Sequence, residues 1–549
     1  MKKLLFSIII TLLTNTLLMS QTTEPAKKEN DKGISAGMAV AWVSFNNEQY
    51  YDALRTYKKL YKKAPGNAQL NYRIGLCFVE LKQMDTAIFH LEKALSIDTT
   101  INSKVYYALG RAYQYNGDLD KAIDNYYKYK STLSPKQNER HFVNVYLRQC
   151  LTAKEMMANP VNVKIRNLGK AINSKYVDAA PSITADGKTL IFTSRRKENI
   201  GGKIDPATED YYDDVWVSHW NDETKTWGKA ENIGKPINTE FYDGNLSISP
   251  DGNMIFVYRN QLNVTKSGDI YVSKKKSDGT WGRPRNIDDK YINTSYFESS
   301  ACITADGKTL YFVSERQRGG LGQGDIYKAE KEGRHWGKPV NLGPVINTPD
   351  DEIGVYIHPD GKTLFFSSNG HNTMGMHDIF VSHMDENGNW SKPVNLGYPI
   401  NTTKDEIHFV LTTDRKTAYI SSTREGGFGK NDIYAVDMSR YFKSNENLSK
   451  DLAQKISGPP LCILKGAIID SKTSQPIKTS IIVKNLSTNK TKIVYANEKG
   501  EYFVTLPAGY KYSLTAKSKG YKPMTIKVKL PKNESETPTV VKHILLDKK

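Results

Sequence analysis

Hydrophobic and small residues repeat along this chain with two different periods, and each predicts a different architecture. Over residues 38–158 small residues recur at the spacing of a helix pair. Ala53, Ala87 and Ala122 lie 34 and 35 positions apart, and Gly75 and Gly110 lie 35 apart. The text around them is alike: Leu70-Asn71-Tyr72-Arg73-Ile74-Gly75 against Tyr106-Tyr107-Ala108-Leu109-Gly110, and Asp85-Thr86-Ala87-Ile88 against Asp120-Lys121-Ala122-Ile123. Small side chains there let antiparallel helices approach, with Tyr57, Tyr72, Phe89, Tyr113 and Tyr126 expected between them. The spacing predicts three helical units over 38–131 and a closing helix over 135–158.

From residue 161 to 440 apolar residues alternate instead, in five copies of another unit. Asp186-Gly187-Lys188-Thr189-Leu190 recurs as Asp251-Gly252, Asp306-Gly307-Lys308-Thr309-Leu310, Asp360-Gly361-Lys362-Thr363-Leu364 and, more loosely, Asp414-Arg415-Lys416-Thr417-Ala418. Asp-Gly between alternating apolar runs marks a hairpin, because Gly tolerates the positive φ of the turn. A further strand opens at Asp214-Val215-Trp216, Asp269-Ile270-Tyr271, Asp325-Ile326-Tyr327, Asp378-Ile379-Phe380 and Asp432-Ile433-Tyr434, and another carries Trp227, Trp281, Trp336 and Trp390. Four short strands per unit, radially repeated, protect their own edges. The missing fifth outer strand is expected at the front, where Asn167-Leu168-Gly169-Lys170-Ala171-Ile172-Asn173 matches Asn341-Leu342-Gly343-Pro344-Val345-Ile346-Asn347. Val161 to Leu168 would then complete the last unit and close a ring.

Alternation resumes after a polar stretch at 441–460, read as a linker, in Leu464–Asp470, Ser480–Val483, Tyr502–Leu506 and Tyr512–Ala516. The fold class expected is multidomain: a helical array, a five-bladed β-propeller and a C-terminal β-sandwich at 461–549. At the other end, Lys2 and Lys3 precede an apolar run from Leu4 to Met19, with Ser20 before a polar segment. That pattern reads as a signal peptide over 1–20, followed by a linker over 21–37. The run is shorter than the ~20 apolar residues of a membrane span, so no transmembrane segment is expected after cleavage.

Charge adds one feature. Lys and Arg number 77 against 59 acids, a net charge of +18, and residues 461–549 alone hold 17 Lys, no Arg and six acids. Lys without Arg suits diffuse attraction to an acidic surface, or the guarding of strand edges. The four Cys, at 77, 150, 302 and 462, are scattered, which removes zinc and redox motifs and points to buried single thiols.

These motifs carry resemblances. The helical repeats resemble the tetratricopeptide family, the five units look like the PD40 (WD40-like) propeller also found in TolB proteins, and the last segment resembles the carboxypeptidase regulatory-like sandwich. The last likeness rests on Gly466 with Asp470, Gln475-Pro476-Ile477, Gly500-Glu501-Tyr502, Leu506-Pro507-Ala508-Gly509 and Gly520-Tyr521. In that order they resemble OmpA-family envelope proteins associated with the type IX secretion system, without the OmpA-like domain that normally follows. The resemblance implies a periplasmic, outer-membrane-associated scaffold with envelope or outer-membrane proteins as partners.

Candidate binding residues lie at one end of the five units. Five residues past each Asn of the Ile-Asn-Thr/Ser element sits a carboxylate: Asp178, Asp243, Glu298, Glu352 and Glu406. Arg195, Arg259, Arg316 and Arg424 fall at the same end, with Asn369-Gly370 in the fourth unit. They form either a charged face for a partner, a cation site at the channel mouth, or pairs that lock neighbouring blades. Loops 196–213 and 369–377 differ between units and are the candidates for specificity; His371 and His377 lack a third metal ligand. No catalytic residues, metal or cofactor are expected. Gly33-Ile34-Ser35-Ala36-Gly37 spells a nucleophile elbow outside the strand–helix context that motif needs. Nucleic acid is not expected as a partner. An acidic glycan such as peptidoglycan or lipopolysaccharide, bound by the basic sandwich, is the alternative to a protein scaffold, and a TolB-like envelope-integrity role is a third reading.

Overall fold

The computed structural model describes residues 25–206, 208–260, 268–288, 291–333, 335–444, 448–532 and 537–549. The expected signal peptide, residues 1–20, lies outside the described residues. Eight helices come first: α1 (Pro25–Asn46), α2 (Tyr50–Tyr61), α3 (Ala68–Glu80), α4 (Met84–Ile97), α5 (Lys104–Tyr115), α6 (Leu119–Ser131), α7 (Pro135–Arg140) and α8 (Val143–Ala158). The boundary expected at residue 38 therefore falls inside α1, and the closing helix is two helices. Ser134 opens α7 with a capping box to Gln137, so α7 starts and ends on its own signals.

Successive helices pack as antiparallel pairs, and α3 touches α5, which touches α8. Tyr57, Tyr72, Tyr113 and Tyr126 are buried between them, as the spacing predicts, whereas Phe89 is 57% exposed. Phe89 lies on the outward side of α4 beside His90, whose ring takes the inward position. A Cβ at Gly75 would meet Leu91 at 2.6 Å, and one at Gly110 would meet the Tyr126 ring at 2.5 Å. That close approach is the physical content of the repeated glycine.

The β-rich region follows as five antiparallel sheets in chain order. Their first strands are Asp178–Ile183, Tyr242–Ile248, Glu298–Ile303, Glu352–Ile357 and Glu406–Leu411. Each of these touches the next, and the fifth touches the first. The early strand Lys164–Asn167 pairs antiparallel with Asp432–Asp437 in the fifth sheet, joining the two ends of the region. Turn glycines Gly187, Gly252, Gly307 and Gly361 have φ of 70°, 73°, 68° and 74°, and Arg415 takes 61° in the fifth. The outermost strands are broken. Trp227 and Trp336 sit in two-residue pieces and Trp281 and Trp390 in single bridges, before a second piece ending at an Asn. Three of the four Trp are followed three residues on by Pro284, Pro339 or Pro393, and proline offers no N–H to the ladder.

Residues 441–460 hold two short helices, Tyr441–Ser444 and Lys450–Ser457, whose Tyr441, Leu448, Leu452 and Ile456 pack on the fourth and fifth sheets. Two four-stranded sheets then face each other over a core that includes Cys462, Leu464, Ile481, Leu514 and Ile544. All four cysteines are buried and unpaired, each thiol's pKa pushed up by burial. Among the described residues no helix is long and apolar enough to cross a membrane.

Replacing Gly110 by Ala forces a methyl against a fully buried ring. Overpacking of this kind costs ~1–3 kcal/mol, and urea unfolding of Gly110→Ala followed by far-UV circular dichroism should show a loss of that size. Gly33→Ala, with open space around it, should show none.

Candidate protein-binding surfaces

The candidate carboxylates stand at one end of the five sheets, where register brings two acids to each. Asp178, Ser194 and Asp214 lie side by side on three neighbouring strands, and Glu298-Ser314-Asp325, Glu352-Ser368-Asp378 and Glu406-Ser422-Asp432 repeat the arrangement. In the second sheet Arg259 replaces the Ser between Asp243 and Asp269. All five inner acids are fully buried. Each carboxylate accepts from the backbone N–H and hydroxyl of the Ser or Thr four residues earlier; for Glu352 these are Thr348 N at 2.7 Å and Thr348 Oγ1 at 2.7 Å. Burial pushes Glu352 up to about 7 and also raises Asp243 and Glu406, where Arg259 and Arg424 oppose the effect.

The arginines complete the latch. Arg259 Nε donates to Asp243 at 2.7 Å and its Nη2 to Ile237 O at 2.7 Å. Arg316 and Arg424 repeat this with Ile292 O and Ile400 O, 3.6 and 3.7 Å from Glu298 and Glu406. Each also lies over an aromatic ring of the third strand, Tyr271, Tyr327 or Tyr434. In the first sheet that place belongs to Arg196, at 2.9 Å from Asp178 and 4.3 Å over Trp216, and not to Arg195. Arg195 pairs with Asp213 and Asp210 instead. In the fourth sheet His371 bonds Ile346 O at 2.8 Å, standing where the others have Arg. Asp178, Asp243, Glu298 and Glu406 each pair with a largely buried arginine, while in the fourth sheet Glu352 is held by Thr348 and Ser368. Among the described residues no cluster of three or more His, Cys, Asp or Glu is arranged to hold a metal.

The second acid series played no part in the sequence-based choice of site residues, although its Asp-Ile/Val-aromatic signature is equally regular. Asp214, Asp325, Asp378 and Asp432 accept from the outer-strand Asn232, Asn341, Asn395 and Asn167. They also accept from backbone N–H groups of the loop before them, such as Ile200 and Met374. These aspartates shape the loops; burial holds Asp214 up at about 7.

Loop 369–377, expected to confer specificity, is covered by the helices. Gln149 donates to Thr373 Oγ1 at 3.0 Å, Thr152 to Asn372 at 2.8 Å, and Met374 joins the helical core. Tyr115 O accepts from Thr403, and Lys82 pairs with Asp405. Asp405 Oδ1 in turn lies 3.0 Å from His377 Nδ1, with Asp351 3.5 Å from the other ring nitrogen. These contacts are made by residues outside the repeat pattern, so sequence periodicity could not single them out. The second face is covered too: Arg415 bonds Pro459 O and Asp360, Thr505 bonds Pro359 O, and Lys492 approaches Asp306, which docks the sandwich on the hairpin side.

Beyond these docking contacts, two surfaces belong to the helices and the five sheets. One is the side of α1, α3 and α5 where Trp42 carries Arg73 at 4.6 Å and Arg111 bonds Glu80 at 3.0 Å beside Tyr107. The other is the acid-bearing end of the five sheets beyond the helices, where loop tips expose Ile204, Phe241, Leu321 and Phe428 at 40–52%. Lys203 lies 5.0 Å over the Phe241 ring and Lys170 5.9 Å over that of Phe428.

Comparison with known proteins identifies repeats in the helical segment. Residues 68–100 and 103–131 match the tetratricopeptide repeat. A stretch of 87 residues is 32% identical to the BBSome complex member BBS4 of Bos taurus, covering 16% of each chain. The chain therefore spans a small part of that relative. The Yersinia enterocolitica type III secretion translocator chaperone SycD is similar over 23% of this chain and 88% of its own, at 16% identity and TM-score 0.21. An α-L-arabinofuranosidase from Lactobacillus brevis is similar over 48% and 90%, at 14% identity and TM-score 0.32.

Two measurements test the latch and the helix contact. Arg259→Met leaves Asp243 buried without its cation, and breaking a buried pair costs ~3–5 kcal/mol, to be read in denaturant midpoint. For His377, burial alone would lower the pKa, but Asp351 and Asp405 outweigh it and hold it at about 9 against an ordinary 6.5. A raised folded pKa stabilises fully below pH about 6.5, and that contribution is lost as pH rises through about 9. Thermal unfolding of the parent should fall across that window, and His377→Gln should flatten the fall. Tetratricopeptide repeats imply a protein–protein interaction scaffold, and the helical segment carries two of them by family match.

Proposed function

We propose that this protein is a noncatalytic scaffold of the bacterial cell envelope, periplasmic and associated with the outer membrane, that holds protein partners of a type IX secretion or related complex. The observation that carries the reading is the pairing of a tetratricopeptide face with apolar loop tips on the neighbouring five-sheet region. We read that region as a five-bladed propeller, closed by the pairing of Lys164–Asn167 with Asp432–Asp437. With the helices docked on the sheets through Gln149–Thr373 and Lys82–Asp405, one partner can touch both surfaces, which raises affinity by linking two contacts without new chemistry. Buried Arg–acid latches favour this reading over a charged-ligand site, because those groups already satisfy one another.

The test is crosslinking in cells from photoreactive residues placed at Arg73 and Phe428, with Tyr127 on the far side of α6 as the control. The same one or few envelope proteins should be captured from both of the first two positions and at least tenfold less from the third. Recovery of the protein alone, or with cell-wall fragments only, overturns the scaffold reading.

A further inference from the structure

The outward sheet of the C-terminal sandwich carries a surface that the scaffold reading does not use. Its strands, Thr491–Tyr495, Ser480–Asn485, Lys511–Lys517 and Met524–Lys529, lie in that order. Alternation sends Ile481, Val483, Leu514, Ala516 and Val528 into the core and the residues between them outward. Register then aligns Lys484 with Ser513 and Lys527, Lys511 with Lys529, and Ile482 with Ile493 and Thr515. Lys484, Lys511, Lys517, Lys527 and Lys529 share this face with no acid among the strand residues that point the same way. None of the five forms an ion pair among the described residues, although other lysines of the same domain do, Lys478 with Glu498 and Lys490 with Glu386 among them. Beside them Ile482 and Ile493 are paired directly and exposed at 37% and 46%.

We infer that this sheet face docks on an anionic lipid surface. The lysines are spread over three neighbouring strands, so they suit an extended array of charge better than one bound molecule. Lys supplies diffuse, strongly hydrated charge, in contrast to the bidentate fork by which Arg grips a single phosphate. The exposed Ile pair amid lysines is amphipathic in the manner of surfaces that enter a headgroup layer. A glycan would call for aromatic rings on which sugars stack. The one exposed ring on the face, Tyr495, has Lys308 4.4 Å over it. The edge strand Thr491–Tyr495 meets the hairpin side through Tyr495 and Lys492, whereas Lys511, Lys527 and Lys529 lie two and three strands away from that edge.

The experiment is vesicle co-sedimentation of the chain beginning at Gln21, which lacks the N-terminal apolar run that would bind lipid by itself. Vesicles of phosphatidylcholine with one third phosphatidylglycerol should bind it at low salt, and binding should fall at least tenfold at about 0.5 M salt, where the Debye length shrinks to a few Å. The triple variant Lys511→Glu, Lys527→Glu, Lys529→Glu should lose at least tenfold. Ile482→Ser with Ile493→Ser should lose severalfold at low salt; all of these positions are solvent-facing, and unchanged thermal unfolding checks the fold. Equal binding to pure phosphatidylcholine, or none to the anionic vesicles, overturns the inference. So does binding that the Ile variant leaves intact while soluble dextran sulfate removes it fully, which would assign the face to polyanionic glycan. None of these outcomes bears on the crosslinks expected from Arg73 and Phe428, so the two readings stand or fall separately.

Discussion

A carboxylate with no exposure to water must find its hydrogen bonds inside the protein, and in this chain five such groups open the five inner strands. Leaving even one unpaired would cost several kcal/mol. Each therefore draws the Ser or Thr four residues back into a tight turn, and in four sheets an arginine closes over the other side. The turn places the strand and the arginine pins the preceding Ile carbonyl. Its guanidinium then covers an aromatic ring of the third strand. The path of the chain at this end of the sheets follows from these small, buried hydrogen-bonded networks.

The same constraint explains why charged residues that recur in every unit are poor candidates for a ligand. A residue needed five times over is needed for what the five units share, which is their construction. Groups that meet a neighbour occur once: Lys82 with Asp405, Gln149 with Thr373, Thr505 with Pro359. They join three layers, with helices on the acid-bearing end of the sheets and the sandwich on the hairpin end. Because the helices cover only part of their end, the tips at Ile204, Phe241, Leu321 and Phe428 remain beside the helical face. Function in this arrangement is a matter of which surfaces the docking leaves uncovered.

Much of the candidate site was legible as chemistry but not as exposure. The spacing from Asn238 to Asp243 marked the acid, and the position of Arg259 after its strand marked the cation. Neither spacing says that the two meet at 2.7 Å with both side chains buried. The tandem Arg195-Arg196 illustrates the limit. Both residues fit the pattern, and only the path of the loop toward Asp213 sends the first outward to Asp213 and the second inward to Asp178. Histidine at 371 could not be matched to arginine by type, yet its ring reaches the equivalent carbonyl.

What the sequence determined by itself is everything that repeats. Helix pairs, hairpins, the pairing partner of the early strand and the lysine-rich sandwich follow from period, turn chemistry and composition, because those are local interactions written several times over. The helical start at Pro25 and the split of the closing helix were less legible, since single caps carry little signal against a polar background. Tertiary structure decided which faces are covered. The burial of loop 369–377, the exposure of Phe89 and the grouping of unpaired lysines on one sheet face each depend on residues far apart in the chain. Contacts of that kind are made once, and a pattern that occurs once has no period to reveal it.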